Sequence, residues 1–165
     1  LRKRFGTVFQ NDTIFEDTIM ENINMGRELS EEAVMEAVLY GRASEFVEEK
    51  GGISAQLDIK GANLSGGQKQ RILIARALAA KPDILILDDS SSALDYKTDA
   101  ALRKELREHF AETTCVIIAQ RISSIMNSDH IMVLEDGQMI GYGTHQELME
   151  TCEIYREIGK SQMGI

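Results

Sequence analysis

At 165 residues, with 43% hydrophobic and 27% charged side chains, the chain can build one ordinary folded domain and lacks the composition of a disordered one. A net charge of −9 excludes a nucleic-acid surface as its main business, since neutralising phosphates takes clustered Lys and Arg. No run of about 18 apolar residues occurs, so no segment reads as a membrane span. The start, Leu1-Arg2-Lys3-Arg4, is basic without the apolar stretch of a signal peptide, and Cys115 and Cys152 lack CxxC spacing, which points to a reduced, cytosolic setting.

In chain order, Phe5 to Phe9 is a β-type run ending at Gln10. From Asn11 to about Gly61 the pattern is mostly helical. Ser30-Glu31-Glu32 opens one helix with Val34, Ala37 and Val38 on one face, and Ser44-Glu45 opens a shorter one. Leu64-Ser65-Gly66-Gly67-Gln68-Lys69-Gln70-Arg71 leads into a helix over Gln68 to Ala80. The only proline, in Lys81-Pro82-Asp83, then breaks the chain. Ile84 to Leu87 is a continuous apolar run, suited to a strand covered on both faces. Asp95 caps a helix to about His109, and Cys115 to Ala119 reads as a second buried strand. Ile131 to Leu134 and Met139 to Tyr142 flank Asp136-Gly137, a two-residue hairpin signal. Thr144 caps a last helix from Gln146 to Glu150, with more helix to about Gly159. Strands alternating with helices in the second half point to an α/β sheet, without internal repeats.

Two places carry chemistry. A serine and two glycines opening a helix leave its first N–H groups unbonded and let the backbone approach a ligand, and such helix ends favour phosphate. Asp88 closes an apolar strand, where α/β sheets place their ligands. The remaining candidates have plainer readings. His109, His130 and His145 lack metal-ligand spacing and suit surface or capping roles. Met20, Met25, Met35 and Met126 read as core filler, Glu45 to Glu49 as a solvated helix face, and Cys115 as a small apolar residue in a strand.

The segment Leu64 to Arg71 is also the signature sequence of ATP-binding cassette (ABC) proteins, and the chain resembles that family along essentially its whole length. Asp88 then resembles the Walker B aspartate, a partner of Mg²⁺, and Ser92-Ala93-Leu94-Asp95 resembles the D-loop at the dimer interface. Gln10, about 55 residues before Ser65, resembles the Q-loop glutamine, which touches Mg²⁺ and the attacking water while its loop contacts the membrane domain. Gly143 to Leu148 after the hairpin also resembles the family, and Phe15-Glu16-Asp17-Thr18-Ile19, Glu21-Asn22-Ile23 and Ala62-Asn63 are most similar to exporter cassettes.

The resemblance implies an ABC-type P-loop NTPase fragment of α/β class. Residues 1–10 would form a core strand leading into the Q-loop, 11–80 the helical subdomain with the signature, and 81–165 half of the RecA-like core. It further implies ATP and Mg²⁺ as cofactors, and as partners a second nucleotide-binding domain and a transmembrane domain at the cytoplasmic face of a membrane. Ser65, Gly66, Gly67, Gln68, Ser92 and Asp95 would serve ATP binding, Asp88 and Gln10 the metal, and Asp89, Gln120 and Gln10 catalysis.

Departures from the family pattern matter as much. Asp89 stands where a glutamate general base is usual, and its shorter carboxylate stops roughly 1.5 Å short of a water placed for Glu, a displacement that can cost on the order of 10²-fold. Gln120, in Ile118-Ala119-Gln120-Arg121, replaces the switch histidine with an amide that hydrogen-bonds but does not titrate. Together they suggest a degenerate site in one half of a heterodimeric exporter. Leu57 to Gly61 departs from the exporter pattern too, which weakens the expected contact with the transmembrane coupling helices. No P-loop motif occurs, since Gly159-Lys160-Ser161 has Ile154 at the place of the first glycine. The expectation is therefore a C-terminal piece of a cassette, inactive alone and prone to self-association. Alternatives are a non-transport ABC ATPase of the chromosome-maintenance or translation type, and a catalytically silent regulatory ABC domain.

Overall fold

In the computed structural model, which describes residues 4–163, strand β1 (Phe5–Val8) runs parallel to β2 (Ile84–Asp88), with Phe5 opposite Ile84 and Val8 opposite Leu87. Strand β3 (Thr114–Ile118) lies parallel on the other side of β2, with Asp88 opposite Ile118. The order β1-β2-β3 puts the strand ending in Asp88 at the centre. Parallel neighbours need long crossovers. The first is a helical region comprising α1 (Ile19–Asn24), α2 (Glu31–Tyr40), α3 (Ser44–Glu49) and α4 (Gly66–Leu78). The second is α5 (Tyr96–His109), capped by Asp95 as expected.

The helices start where side chains satisfy orphan donors. Thr18 and Ser30 accept the N–H groups of Glu21 and Ala33 and so start α1 and α2. Helix α2 buries Val34, Ala37 and Val38, the face that its periodicity marks. Helix α4 buries Ile72, Leu73, Ile74, Ala75, Ala77 and Leu78, and packs against α1, α2 and β1. Val8, Ile23, Val34, Ile72, Leu85 and Leu87 thus belong to one core, where a fully buried Ile or Leu contributes about 1.5–3 kcal/mol.

The structure corrects several expectations. Residues 11–18 are not helical, because Phe15 spends its backbone N–H and C=O on the Asn22 amide, at 2.9 and 3.0 Å, rather than on a helical turn. The signature helix starts at Gly66 instead of Gln68, since Ser65 is its cap, and ends at Leu78. Strand β2 is covered unequally: Leu85 and Leu87 are fully buried, whereas Ile84 and Ile86 are half-buried. Strand β3 is not a buried strand, for Cys115, Val116 and Ile118 are all exposed on this sheet edge. Met25 and Met35 are exposed rather than core filler, while Met20 and Met126 pack partly buried against apolar clusters. The residues Leu1-Arg2-Lys3 of the basic start lie outside the described residues.

The chain divides into two units, Leu1–Ile118 and Ala119–Ile165. The second contains α6 (Ile122–Ile125), the antiparallel hairpin β4 (Ile131–Glu135) and β5 (Gln138–Gly143), then α7 (His145–Thr151) and α8 (Glu153–Met163). Its turn residues Asp136 and Gly137 both have positive φ, at 47° and 76°, as the favoured two-residue hairpin turn requires. Ile122, Ile131, Leu148, Cys152 and Tyr155 form its small core. Thr144 and Glu147 make a reciprocal capping box at the start of α7. No described helix is long and apolar enough to cross a membrane.

Candidate functional site

At the signature, Ser65 and Gln68 form a capping box. The Ser65 hydroxyl oxygen accepts the Gln68 N–H at 3.2 Å, and the Gln68 Oε1 accepts the Ser65 N–H at 2.9 Å. Gln68 is thereby committed to shaping the helix end, while Ser65 and Gly66 stay exposed. Early N–H groups of a helix have no intrahelical acceptor, so this open end presents donors to an anion. A Cβ on Gly67 would stand 3.0 Å from the Ala93 carbonyl oxygen, so the close crossing of Ala93 over this helix end favours glycine here. That contact between two motifs of one chain is invisible in sequence spacing.

Arg71, the last residue of the motif and one to which its resemblance assigns no role, stiffens the same turn. Its Nε donates to the Gly67 carbonyl at 3.3 Å and its Nη1 to the Arg42 carbonyl at 2.9 Å. The guanidinium carbon lies 4.7 Å from the centre of the Phe46 ring. Arg42 in turn pairs with Glu105 of α5 at 3.1 Å.

The second cluster forms where β1 and β2 end. A turn at Gln10 is closed by Asp12, whose carboxylate accepts the Phe9 N–H at 2.8 Å. Gln10 Nε2 then reaches Asp89 Oδ2 at 3.4 Å, a contact between residues 79 apart in sequence. Asp88 ends β2 half-buried beside it. Asp89 has φ 47°, in the left-handed region that Asp visits more readily than most residues. Its N–H donates to the Ile118 carbonyl at 2.9 Å, and its own carbonyl accepts the Ser92 hydroxyl at 3.0 Å. Asp95 is engaged as the α5 cap, accepting the Thr98 N–H at 2.9 Å and hydroxyl at 2.8 Å, and these bonds hold its carboxyl below the ordinary range.

The structure thus brings Gln10, Asp88 and Asp89 together, and Ser65 to Gln68 together beneath Ala93. Gln120 belongs to the second unit, where it is exposed. There Gln162 of α8 clamps its loop, donating from Nε2 to the Gln120 carbonyl at 2.8 Å and accepting the Ile122 N–H on Oε1 at 2.9 Å. Nothing in the sequence marks Gln162 for that task.

Among the described residues no group of three or more His, Cys, Asp or Glu could hold a metal by itself. The set at the strand ends nevertheless fits Mg²⁺. It offers the hard oxygens of Asp88 and Gln10, and Mg²⁺ bound with a nucleotide takes only one or two protein ligands beside phosphate and water.

The sequence pattern of the ABC transporter family matches residues 1–92. The chain is 44% identical to the ABC transporter ATP-binding protein YfiB of Bacillus subtilis (strain 168), over 99% of this chain and 29% of that protein. It is 40% identical to the ATP-dependent lipid A-core flippase of Francisella tularensis subsp. tularensis, over 98% of this chain and 27% of the flippase. A bacterial Atm1-family ABC exporter solved with ATP bound superposes at a TM-score of 0.93, with 35% identity over 98% of this chain and 29% of the exporter. The chain therefore spans less than a third of the length of these relatives. With the family's pattern over more than half of its length and its α/β layout shared with a solved exporter, the chain belongs to the ABC transporter family.

Proposed function

We propose that this chain is part of the ATP-hydrolysing engine of an exporter, working against a second nucleotide-binding domain on the cytoplasmic face of a membrane. The observation that carries this reading is the pair of separate half-sites. An open, capped signature helix end stands at Ser65, and a Gln10–Asp89 contact stands beside Asp88 at the strand ends. In the proposed assembly Ser65, Gly66, Gly67 and Gln68 complete the partner's ATP site, with Ser92 and Asp95 shaping the D-loop between the two. Asp88 and Gln10 hold the Mg²⁺ of this chain's own site, and the ion, when bound, draws charge from the phosphates. Asp89 and Gln120 take the positions of general base and switch residue. Residues 11–80 act as the helical subdomain, and 81–165 as half of the nucleotide-binding core.

Asp89 and Gln120 support a division of labour in which this chain's own site holds ATP and the partner's hydrolyses it. Gln10 donates to Asp89, so the carboxylate is already engaged on one side and oriented rather than free to reach a water. An open groove of about 280 Å³ lined by Phe15, Asp17, Glu21, Asn22 and Met25 lies just past Gln10 and is the proposed face toward the membrane domain. Its exposed Phe15 and Met25 beside two carboxylates suit a helix end carrying apolar and basic side chains.

Photolabelling with an azido-ATP analogue in the full-length complex tests the reading. This chain's site should retain label without turnover. The double change Asp89→Glu with Gln120→His should raise its turnover by about tenfold or more, one step of a correctly placed base. Equal turnover at both sites of the unmodified complex would sink the division of labour.

A further inference from the structure

One side chain joins the signature helix to the groove past Gln10. Arg76 lies within α4, and its guanidinium donates in three directions. Nε reaches the Asn22 carbonyl at 2.7 Å, Nη1 the Thr13 carbonyl at 3.0 Å, and Nη2 the Asn22 Oδ1 at 3.1 Å. Its central carbon lies 5.5 Å from the centre of the Phe15 ring. Asn22 is only 1% exposed and passes the contact on, accepting the Phe15 N–H at 2.9 Å and donating to the Phe15 and Thr18 carbonyls at 3.0 Å each. Arg27 closes the other side, with Nη2 on the Arg76 carbonyl at 2.8 Å and Nε on the Asn24 carbonyl at 2.9 Å.

A guanidinium is a rigid planar fork, so its three bonds cannot be adjusted one at a time. Thr13 and Phe15 lie on the strip of chain between Gln10 and the groove, and Asn22 and Phe15 line the groove itself. A shift of α4 that kept these bonds would carry that strip with it. A shift that broke them would leave a half-buried charge and a buried amide unsatisfied, which is strongly unfavourable. A network held by such a fork resists partial rearrangement, so it would carry a displacement of α4 as a unit.

We propose that Arg76 is a positioning residue that couples movement of the signature helix to the groove facing the membrane domain. The proposal rests on the export reading above. It is tested by hydrogen exchange at the Phe15 amide in the full-length transporter in lipid nanodiscs, with and without Mg-ATP, alongside the KM for ATP. In the unmodified protein, ATP should change Phe15 protection by about tenfold, the scale of coupling through such networks. Arg76→Lys keeps the charge but not the fork. It should leave the KM within about twofold, well under the tenfold of a lost site contact, and abolish the ATP-dependent change.

A purely structural role would instead speed Phe15 exchange equally with and without ATP, and that result overturns the proposal. So does an unmodified protein that hydrolyses ATP without any change at Phe15, a measurement that stands even if Arg76→Lys fails to fold. A transporter that neither binds nor hydrolyses ATP is seen first in the KM assay of the unmodified protein, and it overturns the export reading and this proposal together.

Discussion

The helix end at Ser65 and the strand end at Asp88 are built by opposite means. The helix end is held by neighbours in sequence: Ser65 and Gln68 bond each other, and Arg71 bonds the Gly67 carbonyl one turn back. The strand end at Asp88 is held by distant segments. Asp89 takes its side-chain contact from Gln10 and its backbone contact from Ile118, and Asp88 sits at the tip of a strand flanked by two others. The locally built end keeps the family pattern, whereas the end built from afar carries a departure, Asp89. A capping box tolerates little change, because each member makes the other's bond. A site assembled from several strands can lose a methylene and still keep its fold.

The largest expected effect separates the two ends in function. Gly67→Asp sets an anion at the helix end and forces a side chain against the Ala93 carbonyl. In the proposed assembly it should lower hydrolysis at the partner's site by about 10²–10³-fold, the cost of losing a backbone donor at a reacting phosphate. This chain's own nucleotide retention should change little. Gly67→Ala adds only the Cβ and should fall between the two. Equal losses at both sites, measured with site-resolved labelling, would erase the distinction.

Next in size is a pair of changes that tests how the Walker B strand is held. Leu87 is fully buried in β2 just before Asp88. Leu87→Ala should destabilise the fold by about 2–5 kcal/mol, since it opens a cavity in the core. Val116 on β3 is 46% exposed, and Val116→Ala should cost less than about 1 kcal/mol. Urea unfolding of both variants measures the contrast. A similar loss in each would mean that β3 is covered as thoroughly as β2.

The smallest effect belongs to the signature cap. Ser65→Ala removes the acceptor for the Gln68 N–H and should cost about 1 kcal/mol in the same unfolding experiment. A neutral result would mean that Arg71 alone fixes the turn.

What was legible in the sequence follows the same divide. Asp95 capping α5, the buried face of α2 and the Asp136-Gly137 turn each depend on a few adjacent residues, and all stand where the pattern puts them. The apolar run of β3 states what the strand could bury but not whether anything covers it, so its exposure was not readable. The absence of helix over 11–18 was hidden because the deciding bonds come from Asn22, beyond the segment itself. The Gln10–Asp89 contact and the crossing of Ala93 over Gly67 are tertiary, and resemblance to a family supplied their members without their meeting. Arg76 and Gln162 carry no mark in the sequence, and Arg71 no role within its motif, because a cation or an amide on a helix ordinarily reads as a solvated face.

The bond from the Asp89 N–H to the Ile118 carbonyl has one more consequence. Ile118 is the last residue of β3, so this bond carries the parallel ladder one step past Asp88. A peptide group turns as one rigid plane. The backbone of β3 therefore fixes the plane from which Asp89 enters its left-handed turn, and fraying at the end of that exposed strand would turn the Asp89 carboxylate before it reached the core.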